Sequence, residues 1–186
     1  MRVLVACEFS GVVREAFKSV GHDAWSCDLF PTEIPGQHIV GDVTEVINDN
    51  WDLMIAHPPC TYLASSGARW FSARRPQQLE ALEFVKALLS APVPKIALEN
   101  PVGVIGTQVR KATQIIQPWQ FGHPETKATC LWLKNLPKLI PTNIVYKRNA
   151  NLTPSGQNKL GPSKDRWKLR SRTYAGIAAA MAEQWG

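Results

Sequence analysis

A thiol stands shortly after one apolar run of the chain. Cys60 follows Pro58 and Pro59, and the apolar residues 53–56 before them have the pattern of a buried strand. Because prolines fix φ and bias the preceding residue toward extended geometry, the chain leaves the strand on a stiff path. Such a path presents the thiol reproducibly, which a covalent nucleophile needs. The alternative is that Cys60 is a small buried hydrophobic residue.

A carboxyl group ends the next apolar run. Glu99 and Asn100 follow the apolar residues 96–98 in a short run that begins at Lys95. The segment between the two runs, 76–90, has apolar residues near the spacing of a helix. A strand, helix, strand unit crosses over in the right-handed sense, so we expect Cys60 and Glu99 at neighbouring carboxyl ends of a parallel sheet. Without Cys60 nearby, Glu99 would be interpreted as a helix cap or a solvated acid.

The beginning of the chain has the pattern of a ligand-binding strand, turn and helix. A strand is predicted over 2–6 and a helix over 12–20. Phe9, Ser10 and Gly11 lie in the turn between them. A unit of this kind can bind a ligand at the amino terminus of its helix.

Two further strands are each followed by an acid. The strand predicted over 23–26 precedes Asp28, and the strand over 39–40 precedes Asp42. In nucleoside-binding sheets a carboxylate after the second strand accepts hydrogen bonds from the ribose hydroxyls, and one after the third can bind the adenine amino group. The alternative is that both acids only form turns.

The rest of the chain predicts a single α/β domain, 1–186. A helix is predicted over 109–116, a strand over 126–133 and a helix of small residues over 174–184 that packs on the first strand unit. The segment 139–170 is basic and rich in Pro, Asn, Gly and Ser, and no regular element is predicted there.

The composition is that of an ordinary globular domain. The chain has 186 residues, 45% of them hydrophobic, without an apolar run long enough to cross a membrane. It begins with a strand pattern rather than a signal peptide, so we expect a cytoplasmic protein without a membrane partner. Its four cysteines and four histidines lack the spacing of a disulfide framework or a metal site, so no metal is expected.

The charge is unevenly distributed along the chain. Residues 1–106 hold 8 Lys and Arg against 12 Asp and Glu, whereas residues 107–186 hold 13 against 3. A basic half with interleaved Trp and Tyr favours a nucleic-acid partner, because phosphate contacts supply most non-specific affinity. The alternative is a solvated basic tail.

As a set, these residues resemble the DNA cytosine-5 methyltransferases, and the chain looks most like compact, phage-encoded members. The matching motifs in chain order are Phe9-Ser10-Gly11, Asp28, Asp42, Pro58-Pro59-Cys60, Glu99-Asn100, the stretch 121–129 and the final helix. The resemblance implies a Rossmann-like S-adenosylmethionine-dependent methyltransferase fold in an α/β single domain. It implies S-adenosylmethionine as cofactor and cytoplasmic action, in a bacterial host if a phage encodes the protein.

The resemblance also implies a catalytic mechanism. Cys60 would add to carbon 6 of a cytosine extruded from duplex DNA, and Glu99 would act at ring nitrogen 3 as a protonated carboxyl or through a hydrogen bond. Asn100 would hold the loop. Lys127 and Thr129 occupy the positions of two family arginines, and Arg110 or Arg148 are the expected substitutes. His57 stands where the family usually has glycine.

Two binding sets complete the expectations. The cofactor-binding set is Phe9, Ser10, Gly11, Asp28, Asp42, Pro58 and Thr173. The DNA-binding set is Ser65, Ser66 and Arg69 in the loop after Cys60, with Arg148, Lys164, Arg166, Lys168 and Arg170 in the basic segment. Because that segment stands where the family carries a target-recognition domain, methylation is expected at a short sequence context. The alternatives are a non-catalytic DNA-binding protein and an enzyme that modifies free cytosine nucleotides.

Overall fold

A seven-stranded sheet forms the centre of the computed structural model, which describes residues 1–146 and 163–186. The strands are β1 (Arg2–Ala6), β2 (Asp23–Asp28), β3 (His38–Val40), β4 (Leu53–Ala56), β5 (Lys95–Pro101), β6 (Gln114–Ile116) and β7 (Thr129–Lys134). Their order across the sheet is β3, β2, β1, β4, β5, β7, β6. The first five are parallel, whereas β7 runs antiparallel to β5 and β6.

Helices cover both faces of the sheet. The α-helices of the described residues are α1 (Val12–Ser19), α2 (Val43–Val46), α3 (Arg75–Leu89), α4 (Ile105–Gln108), α5 (Arg166–Ser171) and α6 (Ala175–Trp185). Short 3₁₀ helices cover Ser65–Trp70 and Pro118–Gln120.

Strands β1 and β4 lie at the centre of the sheet and are buried on both faces. This burial explains their continuous apolar sequence. Val3 and Val5 of β1 belong to the core cluster that contains residues of α1 and α6. Leu4 and Ala6 belong to the opposite cluster, which contains residues of α3. The side chains of a strand alternate between its faces, so one short run supplies both cores.

The final helix packs on α1, as its small residues predicted. Ala178 and Met181 of α6 are buried in one cluster with Val13 and Phe17 of α1. Gly176 allows close contact at the start of α6, because a Cβ there would overlap the carbonyl group of Phe121.

Two predictions of secondary structure were wrong. The segment 109–116 is not a helix: α4 ends at Gln108, and Gln114–Ile116 forms strand β6. The apolar pair that indicated a helix alternates as in a strand, since Ile115 is exposed and Ile116 is buried. In the basic segment Arg166–Ser171 forms α5, and residues 147–162 lie outside the described part of the chain.

The strand order reverses between β1 and β4, which is where open α/β sheets bind ligands. The register pairs Ala6 with Ala56 and Ala56 with Leu98. The chain therefore leaves β1, β4 and β5 side by side at one edge of the sheet. Cys60 follows β4, and Glu99 lies in β5 just beyond its last pairing with β4, so the two are at neighbouring strand ends as predicted.

Candidate active site

Cys60 lies in a tight turn after β4. Its carbonyl group accepts hydrogen bonds from the amides of Leu63 and Ala64, and the residue itself is exposed. Leu63 is almost fully buried and anchors the chain immediately after the thiol. Among the free cysteines Cys60 is the exposed one, since Cys27 and Cys130 are buried and Cys7 is half-buried.

A histidine binds the carboxylate of Glu99. Nδ1 of His57 lies 3.1 Å from Oε2 of Glu99, and both side chains are largely buried, with 8% and 20% of their surface exposed. Burial disfavours the charged form of Glu99, but the hydrogen bond and charge of His57, with the charge of Lys127, outweigh it. They hold the pKa of Glu99 below its ordinary value.

The free protein therefore carries Glu99 as a carboxylate at neutral pH. His57 favours this anion in the free protein, and the role of Glu99 at ring nitrogen 3 of a bound cytosine stays a prediction. Of the expected substitutes for the family arginine, Arg110 donates to the carbonyl group of Leu133 instead, and Arg148 lies outside the described residues. From the sequence alone, His57 is distinguished only by standing where the resembled family usually has glycine.

The charges around Cys60 oppose one another. Desolvation of the sulfur, although the residue is exposed at the surface, raises the pKa of the Cys60 thiol, and the Glu99 carboxylate raises it further. Lys127 and Arg170 oppose this shift with positive charge but do not cancel it. The thiol is protonated at rest, and its reactivity depends on the balance between one carboxylate and two cations.

Asn100 ties the two strand exits together through its side chain. Its Nδ2 donates to the carbonyl group of Pro58 at 2.8 Å, and the residue is buried. This contact is the loop-holding interaction expected of Asn100. It also engages Pro58, whose carbonyl group faces the interior rather than a ligand. Oδ1 of Asn100 has no hydrogen-bond partner within residues 1–146 and 163–186.

Lys127 and Thr129 lie between β5 and the final segment of the chain. Nζ of Lys127 donates to the carbonyl group of Arg170 at 3.1 Å. The hydroxyl group of Thr129 donates to the carbonyl group of Lys127 at 3.1 Å. Both line a small cavity with Glu99 and Thr173, so three of the predicted catalytic residues border one space.

The turn after β1 contains a buried acid that sequence reasoning missed. Oε1 and Oε2 of Glu8 accept from the amides of Val13 and Arg14 at 2.7 and 3.2 Å, and Ser10 donates its hydroxyl group to the same carboxylate at 3.1 Å. Glu8 thus caps α1 from inside the protein, where the helix dipole favours negative charge. The sequence signal for this cap is an acid that stands shortly before the predicted helix.

The cap limits how the turn can bind a ligand. Two amides of the first turn of α1 and the Ser10 hydroxyl group are already occupied by Glu8. Gly11 has a φ of 76°, which favours glycine, and Phe9 is buried beneath the turn. The turn can therefore contact a ligand through its shape and through its other backbone atoms. The amino terminus of α1 is not free to bind one.

The two acids after β2 and β3 meet in one cavity. Asp28 and Asp42 line a space of about 210 Å³ together with Leu29, Phe30 and Pro59. Its walls are largely apolar, and the two carboxylates predicted to bind a nucleoside both border it, while the binding itself stays a prediction. A larger cavity, of about 510 Å³, lies near the carboxyl end of β7 and is lined by Arg110, away from the other predicted site residues.

The two carboxylates differ in their surroundings. Burial raises the pKa of the half-buried Asp28, although the amide of Phe30 donates to its carboxylate. Hydrogen bonds from the amide and hydroxyl group of Thr44 lower the pKa of Asp42. Asp42 also caps α2 through these bonds, so the turn-forming alternative holds in addition to the ligand-binding one.

The predicted DNA-binding residues of the Cys60 loop are at the surface. Ser65, Ser66 and Arg69 are exposed in the first 3₁₀ helix. The amide of Ser65 donates to the carbonyl group of Val102 at 2.9 Å, which attaches the loop to the chain after β5.

Helix α5 brings the other basic residues close to the turn after β1. Trp167 contacts the rings of Phe9 and Phe30, with ring centres 5.4 and 4.9 Å apart. Arg172, directly after α5, makes two hydrogen bonds of 2.9 Å with Glu33. The predicted DNA-binding residues on or near this helix are Lys164, Arg166, Lys168 and Arg170, and the first and last of these are exposed.

The remaining predicted cofactor residue lies between the two parts of the site. Thr173 lines one small cavity with Ser10 and His57, and another with Glu99 and Lys127. In the described part of the chain no group of three or more His, Cys, Asp or Glu residues could hold a metal ion. None of the helices described there is long and apolar enough to span a membrane.

Solved structures of methyltransferases share this fold. A methyltransferase of Entamoeba histolytica, EhMeth, matches with a TM-score of 0.53 at 14% identity, over 78% of this chain and 57% of that one. Together with the sheet order, this likeness defines the chain as a protein with the Rossmann-like fold of S-adenosylmethionine-dependent methyltransferases. No protein-family model and no curated protein matches the chain.

Two further structures match with lower scores. A candidate DNA modification methyltransferase encoded within an E. coli prophage matches at 18% identity with a TM-score of 0.47, over 78% of this chain and 52% of that one. A DNMT2 variant of Spodoptera frugiperda matches at 18% identity with a TM-score of 0.45, over 77% and 54%. The chain thus spans about half the length of the structures that it matches.

Proposed function

We propose that this protein methylates cytosine at carbon 5 in DNA, with S-adenosylmethionine as cofactor and with selection of a short sequence context. One observation carries the proposal: Cys60 follows β4, and Glu99 lies in the adjacent parallel strand β5 just beyond its last pairing with β4, at the edge of the sheet where the strand order reverses. Pro59, which precedes the thiol, also lines the cavity of Asp28 and Asp42. A thiol, a carboxylate and a nucleoside-type cavity are thus contiguous.

Thiol addition explains why a cysteine is needed. Carbon 5 of cytosine is a weak nucleophile, and addition of a thiolate at carbon 6 turns the ring into an enamine, which can take a methyl group. In the proposed reaction Sγ of Cys60 forms this bond while ring nitrogen 3 takes up a proton. After methylation, the carbon 5 proton leaves to a base, the bond from Sγ to carbon 6 breaks, and the proton on ring nitrogen 3 returns to Glu99. The thiolate is thereby regenerated.

The neighbouring side chains have distinct proposed roles. Glu99 accepts a hydrogen bond from the amino group of the cytosine, and the proton for ring nitrogen 3 reaches it from His57 through Glu99. Lys127 and Arg170 stabilise the thiolate, an effect supported by their lowering of the pKa of Cys60. Asn100 keeps the two strand exits together through Pro58.

The cofactor proposal is supported by the lining of the 210 Å³ cavity. Asp28 would hold the ribose hydroxyls, Asp42 the adenine amino group, and Phe30 and Pro59 the faces of the nucleoside. Bound there, S-adenosylmethionine supplies an electrophilic methyl group. Phe9, Gly11 and Thr173 would enclose the remainder of the molecule.

DNA is proposed as the substrate because residues 107–186 hold 13 basic residues against 3 acidic ones. The cytosine must leave its stack to reach Cys60, and Ser65, Ser66 and Arg69 lie in the loop beside it. Contacts to phosphates position a strand without reading its sequence, so basic side chains alone would give little sequence selection.

The test is to incubate the protein with DNA and methyl-labelled S-adenosylmethionine and to digest the DNA to nucleosides. Label is expected in 5-methyldeoxycytidine for the wild type and not for Cys60→Ser. DNA containing 5-fluorocytosine, whose carbon 5 substituent cannot leave, should trap the wild type covalently. Absence of label with normal DNA binding would contradict the proposal in favour of a non-catalytic DNA-binding protein, and label only in free nucleotides would favour the other alternative.

A further inference from the structure

The loop after Cys60 presents a tryptophan at the protein surface. Trp70 is 48% exposed, although large apolar side chains are usually buried. The guanidinium carbons of Arg69 and Arg74 lie 5.1 and 5.7 Å from the centre of its ring. The indole is thus held by cation–π contacts with two arginines and not by insertion into the core.

The chain on either side of this tryptophan is fixed. Leu63 is almost fully buried, and the amide of Ser65 donates to the carbonyl group of Val102. After the tryptophan, α3 begins at Arg75, and its first buried residue is Gln78. The 3₁₀ helix Ser65–Trp70 has no buried residue. Trp70 is therefore not a hydrophobic anchor for α3, and the fixed ends hold it in an exposed position.

The charge of this loop has one sign. Residues 61–78 contain three arginines and no acidic residue. Two of those arginines flank the tryptophan, and Arg75 follows them directly. The surface therefore combines one aromatic face with a concentration of positive charge.

Such a surface fits a nucleic-acid strand with unpaired bases. A base can stack on the indole while guanidinium groups pair with the phosphates on either side. Inside an intact duplex both faces of every base are already covered, so an indole can stack only on a base that has lost a neighbour. An acidic protein partner would satisfy the arginines but would leave the exposed part of the indole in water.

We infer that Trp70, Arg69 and Arg74 form a binding site for unpaired nucleotides next to Cys60, and that the substrate is single-stranded or locally opened DNA rather than intact duplex. The inference deepens the proposed function and rests on it for the nature of the strand. It requires that binding depend on bases as well as on phosphates.

The test measures binding without cofactor, by fluorescence anisotropy of labelled oligonucleotides. The wild type should bind a single strand more tightly than the matching duplex, and an abasic single strand more weakly than the intact one. Trp70→Ala should weaken single-strand binding about tenfold and duplex binding little, which is the scale of one stacked base. Trp70→Phe should be intermediate. Leu79→Ala, which removes a side chain of similar exposure from α3, should bind as the wild type.

Equal loss of single-strand and duplex binding in Trp70→Ala, or no loss at all, would overturn the inference. Tighter binding of the duplex than of the single strand by the wild type would also overturn it. That measurement does not depend on the folding of any variant. Since anisotropy requires no turnover, a protein that shows the expected binding but transfers no methyl group contradicts the proposed function alone. One that methylates duplex DNA normally after Trp70→Ala contradicts this inference alone.

Discussion

Nδ1 of His57 lies 3.1 Å from Oε2 of Glu99, so the side chain at the exit of β4 binds the carboxylate at the exit of β5. The parallel register of the two strands, which pairs Ala56 with Leu98, makes these residues neighbours. The Cys60 loop and the acid are therefore coupled through this hydrogen bond. In this chain a histidine supports the carboxylate, together with the positive charge of Lys127.

The first prediction concerns the His57 contact. His57→Asn retains a donor near the position of Nδ1, whereas His57→Gly removes it. Because burial then acts on Glu99 with less opposition, we expect the pKa of Glu99 to rise in His57→Gly and to rise less in His57→Asn. Carbon NMR of labelled glutamate side chains, titrated with pH, would measure both shifts, with Glu99→Gln identifying the signal.

Activity should follow the same order. A rate loss on the order of a hundredfold is expected for His57→Gly, the usual scale for a group that delivers a proton, and a smaller loss for His57→Asn. If the pKa of Glu99 moves as expected while the methylation rate of His57→Gly stays near that of the wild type, His57 has no part in proton delivery.

The second prediction concerns the reactivity of the Cys60 thiol. Glu99 raises its pKa, and Lys127 and Arg170 lower it. At pH 7.5, Glu99→Gln should therefore contain more thiolate and react faster with iodoacetamide, whereas Lys127→Gln should react more slowly. For every variant the rate should increase with pH up to the pKa of the thiol.

Peptide mapping by mass spectrometry makes this measurement specific, because Cys60 is exposed while Cys27 and Cys130 are buried. Cys60→Ser is the control for labelling elsewhere. Changes of the same sign in Glu99→Gln and Lys127→Gln would show that electrostatics do not control the thiol.

The third prediction concerns the cavity after β2 and β3. Asp28→Ala and Asp42→Ser should each weaken binding of S-adenosylhomocysteine by about 1–3 kcal/mol, the cost of leaving a polar ligand group without its partner. Serine at 42 can still cap α2, so the fold should be preserved. Isothermal titration calorimetry measures the effect, with the surface variant Asp49→Ala as control. Unchanged affinity in both variants would mean that the cofactor binds elsewhere.

The fourth prediction concerns the attachment of the Cys60 loop. A Cβ at Gly103 would overlap the carbonyl group of Leu63, whereas one at Gly106 would meet nothing within 4 Å. Gly103→Ala should displace the loop and lower the free energy of unfolding by about 1–3 kcal/mol, the range for forced overpacking.

Gly106→Ala is the matched control, and we expect little change or a slight stabilisation from it, because alanine favours helices. Urea denaturation gives both values. Equal stability of the two variants would mean that the Leu63 segment moves freely away from Gly103.

The sequence by itself predicted the parts of this protein that depend on local pattern. The strands of residues 2–6, 53–56 and 95–101 are apolar runs between turn residues, and they were found where expected. The acids that follow β2 and β3 line one cavity because strands of a parallel sheet share a carboxyl edge. The helix predicted over 109–116 was wrong because a short apolar pair such as Ile115 and Ile116 suits a strand as well as a helix.

Only the tertiary structure decided how the site is charged. His57 and Glu99 are 42 positions apart in sequence, and neither residue type indicates the other as its partner. The parallel register brings them into contact, and this contact favours the carboxylate form of Glu99. Burial and fixed partners then set the pKa values of the site. Burial raises the pKa of Cys60 and Asp28, whereas fixed partners lower that of Glu99 and Asp42. Residue types specify which groups can ionise, but the distance and solvation that set their protonation exist only in the folded chain.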